Sequence, residues 1–379
     1  MVLLRRKLTP VSTLPKLAGF AMRGDSMGAL VNHPGRRESI PTQPFLAADI
    51  GGTHARVALV QASPAGGRAV EILAYRKLGL DDYSDLADLL RSFVAVDVRT
   101  PVRRCVIACA GQVVGDKVIH DNLAWPIKLS RLRKSLAFDD VAVLNDFEAL
   151  GYALDEIRSA GGQLLCGPDT RAKGPTLVIG PGTGLGAAVR LAGSGHPIVL
   201  TTEAGQMDFA PQTVREREVL ARLAPGGGYV PYEYIVSGPG LLTLYRTLCG
   251  LHGDSPELAT PEAITAAARA RVDRQAVEAV EMFCDVLGSF VGNLAMVFMA
   301  RGGVYLAGGF LSSIFDLLRQ SRFAQRFLHE RSVREFLTRV PVRVIEHGQH
   351  GLLGAARWYV DRLSHARPED GRVACGVAG

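Results

Sequence analysis

A chain of 379 residues with 47% hydrophobic and 21% charged residues is long enough for two domains with real cores and has the make-up of an ordinary globular protein. Its net charge of +6 gathers towards the ends and no dense Lys/Arg block interleaves with aromatics, which argues against nucleic acid as a partner. No apolar run reaches the ~18 residues of a membrane span, and six scattered cysteines without a Cys-x-x-Cys pair, a zinc signature or a secretory signal point to a reducing cytoplasm.

Residues 1–43 lack periodicity and carry Arg5, Arg6, Lys7, Lys16, Arg23, Arg36 and Arg37 among prolines and glycines. They read as a disordered extension or an early-assigned start, with Met22 and Met27 as later starts; a basic, acid-poor targeting peptide is the competing reading. Residues 45–60, FLAADIGGTHARVALV, are two short apolar runs joined by glycines, and they predict a β-hairpin. Glycine lets a ligand approach the chain, and successive turn N–H groups can face one anion. Asp49 beside such a turn would repel a phosphate unless a cation lay between them, so it suggests magnesium held through water. A tight hairpin with an aspartate at its mouth is the plainer alternative.

Further along, 70–77 reads as a strand, 85–94 as a helix, and 102–110 as a buried strand followed by a loop to Trp125. Residues 129–136 predict a short helix capped by Ser130 or the residue before it. The strand 141–144 ends in Asn145-Asp146-Phe147, and a helix runs on to about Ile157. In the second half, TLVIGPGTGLGAAVRL at 176–191 matches the first hairpin without gaps when Gly182 is set under Gly51. Two facing glycine turns would clamp a polyphosphate. Helices are expected over 215–223, up to about Leu248, over 261–270, over 274–299 as a long central element, and over 351–363; strands are expected at 304–307 and 342–345. The order gives an α/β architecture of two similar domains flanking a cleft, 44–147 and 148–366, with helix 351–363 packing back on the first and 367–379 a flexible tail.

Chemistry concentrates in a few places. Asn145-Asp146 ends a buried strand, where open α/β sheets place ligands, and an aspartate there can take a proton from a hydroxyl. Helix capping explains the same pair. Glu203, Gln206, Asp208 and Glu233 lie in glycine-rich loops and supply the paired donors and acceptors that grip a polyol; each is equally readable as a loop carboxylate or amide. Gly308-Gly309 after VYLA would admit a flat nucleoside or simply serve a strand-to-helix turn.

The motifs DIGGTHAR (49–56), LNDFEAL (144–150), GPGTGLG (180–186), EAGQMDFAP (203–211), SGPGLLTLY (237–245) and LAGGF (306–310) together resemble the bacterial glucokinase family of the hexokinase-like, actin-like ATPase superfamily, in the family's order from about residue 45 to 363. The cysteine-rich zinc motif of the related repressor and sugar-kinase group is missing, which favours the glucokinase branch. The resemblance implies two actin-like (ribonuclease H-like) domains, ATP with Mg2+, phosphorylation of the 6-hydroxyl of glucose, and a homodimer. It assigns Asp146 as general base; Asn145, Glu203, Gln206 and Glu233 to the sugar; Asp49, Gly51, Gly52 and Thr53 to the first phosphate loop, with Asp49 serving the metal; Gly182, Thr183 and Gly184 to the second; and Gly308 and Gly309 to the adenosine end. Two positions depart from the family pattern: Gln206 replaces the histidine of EGGH, and His54 stands in GGTHAR where GGTNAR is common. The first bears on sugar affinity and choice, and leaves room for a kinase of another hexose or a sugar-sensing paralogue with weak turnover.

Overall fold

In the computed structural model, which describes residues 43–63, 69–119, 125–170, 172–191, 197–329, 332–346 and 348–365, β1 (Phe45–Ile50) is buried along its whole length. Leu46, Ala48 and Ile50 enter one core while Phe45 and Ala47 enter another, the alternation of a pleated strand covered on both faces. It turns back into β2 (His54–Ala62) and β3 (Val70–Gly79). There follow α1 (Leu86–Asp97), β4 (Arg104–Cys109), the short strands β5 (Gln112–Val114), β6 (Lys117–Ile119) and β7 (Ile127–Lys128), α2 (Leu129–Leu136) and β8 (Asp140–Leu144). The principal sheet has the order β3-β2-β1-β4-β8, with β1, β4 and β8 parallel and the other pairs antiparallel.

The chain then runs through α3 (Asp146–Tyr152), α4 (Leu154–Ala160), β9 (Gln163–Cys166), β10 (Thr176–Pro181), β11 (Leu185–Leu191) and β12 (Ile198–Thr202). The helices α5 (Val214–Leu223), α6 (Gly238–His252), α7 (Pro261–Ala270) and α8 (Arg274–Val297) precede β13 (Val304–Ala307). Last come α9 (Gly309–Ser313), α10 (Phe315–Gln320), α11 (Phe323–Leu328), α12 (Arg334–Leu337), β14 (Val342–Ile345) and α13 (His350–His365). The second sheet, β12-β11-β10-β13-β14-β9, repeats the order and strand senses of the first and adds β9 antiparallel at one edge. This duplicated α/β topology is the two-domain actin-like ATPase fold.

Two helices join the halves. Leu352, Ala355, Ala356, Tyr359 and Val360 of α13 pack on the first sheet, where the Tyr359 ring lies 5.1 Å from that of Phe45 and its hydroxyl donates to Asp140 at 2.7 Å. On its other side α13 meets α3 so closely that a Cβ on Gly354 would collide with the Ala149 carbonyl. Phe147 of α3 turns the opposite way, its ring filling the space over Gly180 and Gly186 of the second sheet. A short helix thus has one neighbour in each half.

Several expectations need correction. The 176–191 repeat is real as topology, but the ungapped match fails in its second strand. Four residues separate the paired Ile50 and Ala55, whereas three separate Pro181 and Leu185. One residue fewer in the turn shifts the return strand by one, which exchanges the faces its side chains occupy. Ser130 does not cap α2: Lys128 is the N-cap without a side-chain bond, and Ser130 instead donates from its backbone N–H to Asp116 at 2.8 Å. The loop expected after residue 110 contains the three-stranded β5-β6-β7 sheet. The helix after Asp146 breaks at Ala153 into α3 and α4, and β9 and β12 lacked enough apolar alternation to be foreseen. The helix α8 is long and apolar enough to cross a membrane by composition, but 78% of its apolar window is buried within the protein, as befits the central core helix expected there. The predicted extension at 1–43 and tail at 367–379 lie outside the described residues except for Gln43. The five described cysteines are free thiols, and burial pushes those of Cys105 and Cys109 far up, as for small core residues.

Candidate active site

Two parallel strands from each sheet end at one cleft. From the first sheet, β4 is followed by Ala110-Gly111 and β8 by Asn145-Asp146; from the second, β10 is followed by Gly182 and β13 by Gly308. These residues line a cavity of about 590 Å³ together with Glu203, Gln206 and Glu233. The carboxyl edge of a parallel sheet collects ligands because its loops diverge there.

Asn145 and Asp146 are held by the start of α3. Asn145 Oδ1 accepts from the N–H groups of Phe147 at 2.9 Å and Glu148 at 3.1 Å, so it is the N-cap. Burial pushes the Glu148 carboxyl up to about 7. Capping and site membership therefore coexist: the cap occupies the Asn145 oxygen and leaves its Nδ2 as the group to offer a ligand. Asp146 Oδ1 accepts from the Phe147 N–H at 2.9 Å, which fixes the carboxylate at the cleft.

The opposite wall is built by a small zipper. The Phe209 N–H donates to Val230 O at 2.8 Å and the Tyr232 N–H to Met207 O at 2.9 Å, so the loop carrying Gln206 is laid along the loop carrying Glu233. Glu233 Oε2 accepts from the Leu185 N–H at 2.8 Å, and Glu233 Oε1 accepts from Gln206 Nε2 at 3.3 Å. Glu233 is thereby fastened to the second glycine turn. A Cβ on Gly184 would stand 2.5 Å from Glu233 Oε2, so that turn must lack a side chain for the carboxylate to reach. Asp208, expected with this group, is not part of the lining; its carboxylate accepts from the Val230 N–H at 3.2 Å and holds the zipper.

The two glycine turns differ in placement. Gly182, Thr183 and Gly184 line the cleft, while Asp49, Gly51, Gly52 and Thr53 stand outside its lining at the end of β1. With β4 between β1 and β8, roughly 10 Å of sheet separates the first turn from Asp146. Both Asp49 and Asp146 still act on the Cys109 thiol between them, adding to the burial that raises it. The Gly51 N–H donates to His54 O at 3.0 Å and the Gly182 N–H to Gly184 O at 2.7 Å, so each turn spends its first donor on its own closure. The later N–H groups of each turn are the ones left to face an anion. Space is a separate matter, since a Cβ on Gly182 or Gly309 would meet nothing within 4 Å, and no packing within the chain demands glycine at either position. Gly308 needs its φ of +143°; Gly309 itself begins α9 outside the lining.

Asp49 is the candidate metal-side carboxylate. It is 3% exposed, and burial lifts its carboxyl to about 6 although Arg56 Nη1, 3.6 Å away, pulls it down. A cation beside it would restore the ionised form. Among the described residues no group of three His, Cys, Asp or Glu side chains converges on a metal-sized site. A divalent ion would thus rest on one carboxylate, water and phosphate oxygens, the habit of magnesium.

Sequence reading missed several contributors. Ala110, Gly111, Val114 and Ile119 enter the cleft from β4 and the small sheet; a glycine closing a buried strand was the available signal for Gly111, whose φ is +109°. Tyr229 reaches Gln206 with its hydroxyl, and nothing in the spacing announced it.

The family model described as Glucokinase matches residues 46–362. A "Glucokinase-like protein" of Xylella fastidiosa (strain 9a5c) is 45% identical over 319 residues, covering 84% of this chain and 95% of that protein. A "Glucokinase" of Saccharophagus degradans is 34% identical over 321 residues, covering 84% and 99%. The crystal structure of a glucokinase from an Antarctic psychrotroph superposes with a TM-score of 0.71 at 29% identity, covering 83% of this chain and 98% of that one.

Proposed function

The chain belongs to the glucokinase family of sugar-phosphorylating enzymes, and from that premise we propose that it transfers the γ-phosphoryl group of ATP to the 6-hydroxyl of glucose. The observation that supports this most is the common cleft: Asn145 and Asp146 on one wall, Glu203, Gln206 and Glu233 on the other, and the 182–184 turn beside them. A neutral polyol would find carboxylates and amides there, and a phosphate tail would find the turn.

In this reading Asp146 accepts the proton of the 6-hydroxyl as its oxygen attacks the γ-phosphorus in line. The bond from the γ-phosphorus to the bridging oxygen breaks, and ADP leaves with that electron pair. Asn145, Glu203, Gln206 and Glu233 orient the sugar, and orientation supplies much of the rate. The N–H groups of Thr183 and Gly184 hold phosphate on one side; those of Gly52 and Thr53 meet it on the other as the lobes 44–147 and 148–366 close, which also excludes water. Gly51, Gly182, Gly308 and Gly309 give the nucleotide room to approach. Asp49 would hold a magnesium ion through water, which would supply charge neutralisation at the phosphates. The enzyme acts in the cytoplasm as a homodimer.

Asp146→Asn tests the assignment in a coupled assay for ADP release. It should lower kcat by about 10²–10⁴-fold, the range of a general base, with an unchanged melting temperature; near-normal turnover would refute it. Gln206 in place of the family histidine favours a second reading, a kinase of another hexose or a weakly active sugar sensor. A panel of hexoses in the same assay separates these, since a sensor binds sugar without ADP release.

A further inference from the structure

We propose that Tyr229 is a positioning residue that sets sugar affinity and choice through Gln206; this rests on the reading that the cleft binds a hexose. The Tyr229 hydroxyl donates to the Gln206 main-chain carbonyl and lies 3.2 Å from Gln206 Oε1. One O–H shared between two acceptors on one residue pins both its backbone and its side-chain amide. The amide has only one consistent orientation. Glu233 is an acceptor, so Nε2 must face it, and Oε1 must face the phenol.

The consequence is an ordered row of groups on the sugar wall. Glu233 keeps acceptor capacity on both oxygens after taking the Leu185 N–H and Gln206 Nε2. Gln206 keeps one N–H and one lone pair. Such a row fits adjacent ring hydroxyls of a neutral hexose, each of which both donates and accepts. Without Tyr229, Gln206 is a long, exposed side chain whose rotamers must be ordered when the sugar binds. The hydroxyl of Tyr229 performs that ordering in advance. The ring is 57% exposed and lies outside the core, so removing one oxygen leaves the fold alone.

The test compares the full-length wild type with Tyr229→Phe. Glucose binding is measured by calorimetry without nucleotide, and kcat and KM are measured with ATP-Mg2+ for glucose and for its epimer mannose. The expected result is a glucose Kd and KM raised about 5- to 10-fold, the worth of one neutral hydrogen bond. The kcat should stay within about twofold and the kcat/KM preference between the epimers should narrow, at an unchanged melting temperature. Unchanged Kd and epimer preference overturn the proposal. So does a fall in kcat that tracks a loss of thermal stability with the preference intact, which is what a merely structural role would give. A wild type that binds sugar but releases no ADP defeats the kinase reading while the calorimetric arm still decides on Tyr229. A wild type that binds neither sugar overturns both.

Discussion

Gly184→Ala tests whether the 182–184 turn and the Gln206–Glu233 wall are one mechanical unit. A methyl on Gly184 would lie 2.5 Å from Glu233 Oε2, well inside ordinary van der Waals contact. The backbone on either side is fixed by the Gly182–Gly184 bond at 2.7 Å and by the Gly238 N–H donating to Gly182 O at 2.8 Å, so the glutamate is the part that moves. Its 2.8 Å bond from the Leu185 N–H is then lost, and Gln206 loses its partner. One charge-assisted hydrogen bond is worth about 1.5–3 kcal/mol, so kcat/KM for glucose should fall about 10- to 100-fold. KM for ATP should change little. Gly182→Ala is the matched control, because its methyl meets nothing of the chain within 4 Å. It should raise KM for ATP, leave KM for glucose, and keep the melting temperature. Initial rates with each substrate varied in turn distinguish the two. A Gly184→Ala enzyme with wild-type glucose kinetics, or one impaired only towards ATP, would refute the coupling.

The remaining predictions concern stability. Glu148 has its pKa raised from 4.5 to about 7, so the folded state holds its proton more tightly than the unfolded chain does. Its contribution is therefore lost as pH rises through about 4.5 to 7, and Glu148→Gln should be more stable than wild type at pH 8 by about 1–3 kcal/mol, with the difference vanishing near pH 4.5; urea midpoints across that range check the sign. Gly354→Ala should destabilise by about 1–3 kcal/mol or more, because its methyl meets the backbone carbonyl of Ala149 and forces α13 off α3. Gly151→Ala should cost less, since its methyl meets the Val199 side chain at 2.5 Å and a side chain can yield. Equal losses for the two glycines in urea titration would contradict this account of the joint.

The α/β class, the hairpins, the long core helix and the strand ends where polar pairs sit were legible in the residues, because these depend on periodicity and on glycine within a few positions. The sequence also singled out Asn145, Asp146, Glu203, Gln206 and Glu233, all of which line one cleft. What it could not contain was distance between segments. Asp208 differs from Gln206 by two positions, yet one holds a zipper and the other faces the cavity, and only the pairing of 207–209 with 230–232 decides which. The glycine of Gly184 was legible as a turn, but its role in admitting Glu233 depends on a contact across 48 intervening positions in the chain. Likewise the one-residue difference between the two turns is invisible in a pattern match and plain in strand register, because hydrogen-bonded pairing counts residues that apolar alternation merely suggests.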